Sequence, residues 1–201
     1  FLEYFLKKNK KFGVIGIDKL NYASDEKIIK KLKYNNRFLF FKRDISDFKK
    51  INNIFRKYDI IHVVNLAAET HVDNSIFNPD IFIQSNIVGT FNLLKISLNK
   101  WKKNLHKNKN RFMQVSTDEV FGSVKRGKFT EKSRYMPNSP YSASKASADL
   151  VVRSFNKTYK LNTVTSHSSN NFGPRQHNEK FIPTIINSLE NKMRIPVYGK
   201  G

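Results

Sequence analysis

Two stretches of the 201-residue chain carry side chains whose types and spacing could do chemistry. The first is Tyr141-Ser142-Ala143-Ser144-Lys145. On a helix the phenol and the ammonium share one face, one turn apart. A phenol is a poor base near neutral pH, and a neighbouring ammonium favours the phenolate and lowers its pKa. Tyr141 is therefore a candidate general base for a hydroxyl proton, with Lys145 as its electrostatic support. The second stretch is Asp118-Glu119, preceded by Thr117. Adjacent carboxyls leaving a strand for a loop can both turn towards one pocket, where one is held protonated as an acid while the other serves as a base. Each stretch also has an ordinary reading, a surface helix face and a solvated acidic turn. Their occurrence together, followed by Ser169-Asn170-Asn171-Phe172-Gly173-Pro174, points to one site.

The elements that must position these groups follow from the pattern. Ser139 can cap a helix, Pro140 suits its first position, and Ala143, Ala146 and Ala148 favour its continuation to about Tyr159. Short apolar runs at residues 12–17, 38–41, 60–65, 112–116 and 163–168 read as strands, with a last short one at 195–198. Between them lie helical patterns. One places Phe1, Leu2, Phe5 and Leu6 on one face; one is capped by Ser24 with Ile28, Ile29 and Leu32 inward. Another is capped by Ser46 and carries Phe48, Ile51, Ile54 and Phe55. Asn78-Pro79 opens a long helix, and residues 179–191 form a further one with Pro183 near its start. This alternation predicts an α/β fold, a Rossmann-like doubly wound parallel sheet with helices on both faces. Ligands in such sheets sit beyond the carboxyl ends of the strands. Asp18, Asp44, Ala67-Ala68, Thr117-Asp118-Glu119 and Asn170-Asn171 each follow a strand.

Composition narrows the function classes. The chain has no cysteine, which excludes disulfides and thiolate metal sites and fits a reducing, cytoplasmic setting. No apolar run reads as long enough to span a membrane. Lys and Arg number 37 against 16 Asp and Glu, a net charge of +21, but the lysines are spread through every segment and the densest run fills a helix–strand connector at residues 100–111. No specific nucleic-acid partner is expected; the positive field favours small anionic substrates such as nucleotide diphosphates. His71 and His177 lack metal-ligand spacing, so no metal site is expected. Asp18 ends a strand preceded by a helix, where an acid in dinucleotide folds accepts hydrogen bonds from ribose hydroxyls and favours NAD over NADP. The glycine-rich phosphate loop that precedes such an acid by about 20 residues is expected upstream of Phe1.

The sequence resembles the extended short-chain dehydrogenase/reductase family. The matching segments include Asp18-Lys19-Leu20-Asn21-Tyr22-Ala23, Leu66-Ala67-Ala68-Glu69-Thr70-His71-Val72-Asp73, Asn86-Ile87-Val88-Gly89-Thr90, and Val115-Ser116-Thr117-Asp118-Glu119-Val120-Phe121-Gly122. Ser139-Pro140-Tyr141-Ser142-Ala143-Ser144-Lys145 and Ser169-Asn170-Asn171-Phe172-Gly173-Pro174 complete the set in the family's order. Tyr-x-x-x-Lys is shared across the family. Ser-Thr-Asp-Glu-Val is specific to its nucleotide-sugar 4,6-dehydratase branch, a lyase activity that takes dTDP-glucose to dTDP-4-keto-6-deoxyglucose and water.

The resemblance implies a mechanism. Tyr141, supported by Lys145, takes the proton of the sugar 4-hydroxyl while Thr117 holds that oxygen, and hydride passes from C4 to NAD. Glu119 then removes the acidified C5 proton, Asp118 protonates the departing 6-hydroxyl, and hydride returns to C6. It also implies that Asp18, Lys19, Leu20, Asn21, Asp44, Ile45, Leu66, Ala67, Ala68, Glu69, Thr70, Ser85, Tyr141, Lys145 and Asn171 contact NAD. Thr70, Thr117, Asn170, Lys180, Phe181, Pro196, Val197 and Tyr198 line the nucleotide-sugar site. The implied domains are a NAD-binding domain over residues 1–175 without its first strand and glycine loop, and the beginning of a substrate-binding domain over 176–201. The helices starting near Asn78 and Tyr141 are implied to form a homodimer interface, in a deoxysugar pathway such as that of dTDP-rhamnose. The piece by itself is expected to be inactive. Asn21, Ser24, His167-Ser168 and Phe172 stand where the family usually has Thr, Gly, Arg-Cys and Tyr. Alternatives are a UDP-, CDP- or GDP-sugar 4,6-dehydratase, a 4-epimerase, which would need no acid pair for elimination, or a non-catalytic nucleotide- or nucleic-acid-binding protein.

Overall fold

The computed structural model describes residues 1–103 and 109–196. In chain order the elements are α1 (Leu2–Lys8), β1 (Val14–Asp18), α2 (Glu26–Leu32), β2 (Phe38–Lys42), α3 (Phe48–Lys57), β3 (His62–Asn65), α4 (Val72–Phe77), α5 (Pro79–Phe82), a π-helical segment (Ile83–Val88) and α6 (Gly89–Trp101). Then follow β4 (Arg111–Thr117), a 3-10 turn (Asp118–Phe121), α7 (Pro140–Tyr159), β5 (Thr163–Ser168) and α8 (Phe181–Glu190). Strands and helices alternate as the sequence predicts. β1 pairs with β2, and β3, β4 and β5 form a parallel sheet in that order, with Val63 opposite Phe112 and Gln114 opposite Thr165. Residues 195–196 are not in a strand, and Val197 and Tyr198 lie outside the described residues.

The chain divides into two compact units. One comprises Phe1–Ile15, Leu20–Phe40 and Asn170–Gly201. Its core joins Leu6 of α1, Leu32 of α2 and Phe38 of β2, with Val14 and Phe40 against them. Arg37 donates to the carbonyls of Leu6 (2.7 Å) and Phe12 (3.3 Å), satisfying a carbonyl that the end of α1 leaves open.

The other unit comprises Gly16–Lys19 and Phe41–Ser169 and holds the catalytic candidates. Its main core runs from Ile51 and Phe55 of α3 through Leu94 and Ile96 of α6 and Phe112 of β4 to Val152 and Phe155 of α7. A smaller cluster of Val120, Phe121 and Ala146 seats the 3-10 turn on α7.

Several local expectations are corrected. α2 is capped by Asp25 and α3 by Asp47, each accepting from a first-turn N–H, rather than by Ser24 and Ser46. α3 begins at Phe48, which puts Asp47 at the capping position, and the Asp44 carboxylate accepts from the Ser46 N–H (2.8 Å) in the turn before it. The helix opened by Asn78-Pro79 is interrupted by the π segment, and α4 precedes it. The continuous helix over Pro79–Trp101 is 23 residues long and apolar enough to cross a membrane by length and composition, contrary to the expectation that no run is. Over half of its apolar 18-residue window is buried within the structure, as in a core helix: Leu93, Leu94, Ile96 and Trp101 lie in the main core.

Candidate active site

The helix that carries Tyr141 and Lys145 starts where the sequence places it. Ser139 accepts from the Ser142 N–H (3.1 Å) while Ser142 Oγ accepts from the Ser139 N–H (3.0 Å), a reciprocal cap, and Pro140 follows at the first position. Both catalytic candidates point inward. Tyr141 is 7% exposed, its ring edge-on to buried Phe82 at 6.4 Å, and Lys145 is 4% exposed. Lys145 Nζ donates to the Val115 carbonyl of β4 at 2.7 Å, which ties the helix to the strand that ends in Thr117.

At that strand end Thr117 Oγ1 accepts from the Glu119 N–H (3.3 Å) and caps the 3-10 turn that carries Asp118 and Glu119. The same hydroxyl lies 3.4 Å from Asp118 Oδ1 and acts on the Tyr141 phenol, lowering its pKa. Gly122 closes the turn at φ +87°, a conformation side chains resist, and a Cβ there would meet the Met136 carbonyl oxygen at 2.3 Å. Thr117, Asp118, Glu119, Tyr141 and Lys145 therefore form one cluster.

The electrostatics differ from the expectation. Burial pushes the Tyr141 phenol up to about 12, the charges of Glu119 and Asp118 push in the same direction, and only the Thr117 hydrogen bond opposes them. Burial also lowers the pKa of Lys145, against the raising effect of Asp149. The Lys145 ammonium donates to a backbone carbonyl, and burial and the carboxylates outweigh any lowering of the phenol's pKa in this arrangement.

A second polar cluster in the same unit joins three of the cofactor candidates. Lys19, just past β1, forms an ion pair with buried Glu69 and donates to Ser85 Oγ at 3.1 Å. Ser85 belongs to the π segment and is 7% exposed. Asp18 ends β1 with its side chain exposed and its carbonyl accepting from the Arg43 N–H (3.0 Å). Ile45 is held from α6: Asn92 donates to the carbonyls of Ile45 (3.2 Å) and Ser46 (2.8 Å), and a Cβ on Gly89 would meet Ile45 at 2.5 Å, while the Asp44 carboxylate accepts from the Ser46 N–H. Ala67 packs on the main core, Ala68 is half-buried, and Leu66 and Thr70 are exposed.

The remaining candidates lie in the other unit. Leu20 follows Lys19 at φ 57°, the left-handed region, a strained conformation for a bulky side chain. The Asn21 carboxamide accepts from the Ala23 N–H (3.1 Å). Tyr22, beside it, donates to Glu179 (3.0 Å) and stands edge-on to His177. Asn170 and Asn171 are exposed, Lys180 caps α8 by position, and Phe181 and Pro196 are exposed.

Sequence reasoning missed Asn86 and Asp149. Asn86, 2% exposed, accepts from the Glu69 N–H (2.9 Å) and donates to Ser144 Oγ (2.8 Å), linking the loop after β3 to the start of α7. Its signal was a polar residue inside an otherwise apolar helix. Asp149, 3% exposed, accepts from Ser116 Oγ at 2.6 Å. Its signal was a carboxylate two turns beyond Tyr141 on the same helix.

A Tyr-x-x-x-Lys helix packed on the carboxyl end of a parallel strand is the arrangement of the extended short-chain dehydrogenase/reductases. The chain matches the family model described as GDP-mannose 4,6 dehydratase over residues 1–201 and belongs to that family. The curated dTDP-glucose 4,6-dehydratase of Haemophilus influenzae is 43% identical over 204 residues, covering 100% of this chain and 60% of that protein. The crystal structure of a double mutant of DesIV, a dTDP-glucose 4,6-dehydratase from Streptomyces venezuelae with NAD bound, matches with a TM-score of 0.87 at 34% identity, covering 100% of this chain and 60% of that one. A UDP-glucuronic acid 4-epimerase from Bacillus cereus, in complex with UDP-glucuronic acid and NAD, matches with a TM-score of 0.82 at 26% identity, covering 98% and 61%. The chain spans about three-fifths of the length of these relatives.

Proposed function

We propose that the protein carrying this chain is a dTDP-glucose 4,6-dehydratase, a hydro-lyase that forms dTDP-4-keto-6-deoxyglucose. The observation that carries the reading is that Asp118 and Glu119 share a single turn with Thr117 and act on the Tyr141 phenol. Oxidation of an alcohol needs one base; elimination of water needs a second base and an acid, and the additional pair stands here. Tyr141 takes the 4-hydroxyl proton as phenolate, a form that burial disfavours in this arrangement and that the positive charge of a bound oxidised cofactor would favour, while Thr117 orients that oxygen. Once C4 is a ketone, the C5 proton is acidified; Glu119 removes it and Asp118 protonates the leaving 6-hydroxyl. Bound NAD would supply the acceptor and donor of hydride for this sequence. The chain's residues fit such a cofactor: the exposed Asp18 carboxylate offers acceptors to a ribose diol, and Lys19, Glu69 and Ser85 form a polar cluster in the same unit. The family resemblance also gives Asn21, Asp44, Ile45, the 66–70 loop and Asn171 a role in holding the cofactor, and Asn170, Lys180, Phe181 and Pro196 a role in holding the sugar nucleotide.

The same reading divides the chain into a cofactor domain over 1–175 and the beginning of a substrate domain over 176–201, and places the enzyme in the cytoplasm, in deoxysugar formation. It also makes the enzyme a homodimer through the helices starting at Pro79 and Pro140; exposed Ile83, Phe91 and Leu150 on those helices support this. The test supplies dTDP-glucose to the intact protein without added reductant and follows the sugar nucleotide by mass spectrometry. Loss of one water with no net NADH is the expected result. An unchanged mass with turnover of another nucleotide sugar moves the assignment to a sister enzyme.

A further inference from the structure

α7 grips β4 at two consecutive residues. Lys145 Nζ donates to the Val115 carbonyl (2.7 Å), and one turn further along the helix Asp149 Oδ2 accepts from the Ser116 hydroxyl (2.6 Å). The next residue of the strand is Thr117, whose hydroxyl acts on the Tyr141 phenol. The strand cannot slide along the helix without breaking both bonds, so this pair sets where Thr117 meets Tyr141. Tyr135 OH (3.4 Å) and His167 Nε2 (3.2 Å) also reach Asp149 Oδ2 and lie 3.0 Å from each other, while Asp149 Oδ1 is buried without a hydrogen-bond partner.

A buried carboxylate with an unpaired oxygen is costly unless its charge is used. An asparagine would offer Ser116 the same acceptor oxygen, so the hydrogen bond alone does not call for an acid. Two groups call for one: His167, whose Nε2 stands 3.2 Å from Asp149 Oδ2, and Lys145, an ammonium with 4% exposure one turn back on the same helix, which has no other carboxylate one turn away. Asp149 acts against the burial that pulls Lys145 towards its neutral form.

We propose that Asp149 is a positioning residue of this site: it is the buried counter-charge of the Lys145 ammonium, and together with Lys145 it clamps α7 to β4 in the register that brings Tyr141 to Thr117. The inference rests on the reading of Tyr141 and Lys145 as the acid–base pair. The titratable groups facing Asp149 are Lys145 and Tyr141 from α7, Tyr135 from the segment between the 3-10 turn and α7, and His167 from β5. Glu131, Arg134 and Arg153 line the cavity of about 550 Å³ that Asp149 also lines.

The test uses the intact protein with 13Cε-labelled lysine, the Lys145 resonance being assigned by its loss in Lys145→Arg. In Asp149→Asn the Lys145 signal should titrate about one pH unit lower, a tenfold change in the ratio of ammonium to amine. An unmoved midpoint overturns the proposal. This readout needs no turnover, so it stands or falls separately from the dehydratase assignment. Ser116→Ala keeps the charge and removes one grip; kcat with dTDP-glucose should fall about tenfold with KM within about twofold, as for a group that acts only in the transition state. Wild-type kcat in a Ser116→Ala protein would sink the clamp, and this variant carries the test if Asp149→Asn does not fold by circular dichroism. If the wild type does not dehydrate dTDP-glucose, the proposed function fails and the lysine titration alone decides this one.

Discussion

The Asn86 carboxamide pairs with the Glu69 peptide groups as a neighbouring strand would, accepting from the N–H at 2.9 Å and donating to the carbonyl at 3.1 Å. A third bond, from Nδ2 to Ser144 Oγ, joins that pairing to the first turn of α7. Asn86→Ala leaves these buried groups unsatisfied and should destabilise the protein by about 2–4 kcal/mol. Urea denaturation measures the loss. NAD binding should weaken in the same variant, because the Glu69 that pairs with Lys19 loses its backbone anchor.

Alkaline pH should expose the burial of Tyr141. Its phenol titrates at about 12 in the fold against 10.0 for an ordinary tyrosine, so folding favours the protonated form. That contribution is fully present below about pH 10 and is lost as pH rises through about 12, a difference of about 2–3 kcal/mol. Urea midpoints measured across this window should fall more steeply for the wild type than for Tyr141→Phe. Parallel curves would contradict the burial argument.

Gly122→Ala should be among the more damaging single-methyl additions. The position needs φ +87°, and the new Cβ meets a backbone oxygen at 2.3 Å rather than a mobile side chain. Strain and overpacking together should cost about 2–4 kcal/mol. The 3-10 turn bearing Asp118 and Glu119 would shift, so kcat should fall in the fraction that remains folded.

Gly89→Ala is a different case, because the obstacle is the flexible end of Ile45 at 2.5 Å. The loss should be about 1–3 kcal/mol and should shrink when Ile45→Ala is added. A double-mutant cycle by thermal denaturation would show this coupling; strict additivity would mean that the helix moves instead of the side chain.

Glu119→Gln keeps the size of the side chain and removes the base assigned to C5. In the intact protein kcat for dehydration should drop by about two to four orders of magnitude with little change in KM. Exchange of solvent deuterium into C5 should disappear with it. Retained exchange would move the base to another group.

The parts of this arrangement that were legible in the sequence are those governed by local pattern. α7 was readable because Ser139-Pro140 and the alanines after it agree on where a helix begins, and β5 because its run is bounded on both sides. The caps of α2 and α3 fell one residue from their predicted places, since Ser24-Asp25 and Ser46-Asp47 each offer two capable side chains and only the loop geometry chooses between them. α4 was too short, at 6 residues, to show a period. The pKa of Tyr141 could not be read from its spacing to Lys145, because its direction depends on burial and on a carboxylate brought in by the 3-10 turn.

The helix that starts at Pro79 widens into a π segment at Ile83–Val88. A wider turn contains one residue more than a regular one, so everything after it is rotated by about 100° relative to what a continuous α-helix would present. That phase change lets one rod serve two masters: Ser85 and Asn86 face the polar groups of Lys19, Glu69 and Ser144, while Leu93, Leu94 and Ile96 stay in step with the core. Deleting a single residue between 83 and 88 would give a more regular helix, and one half of it would then point the wrong way.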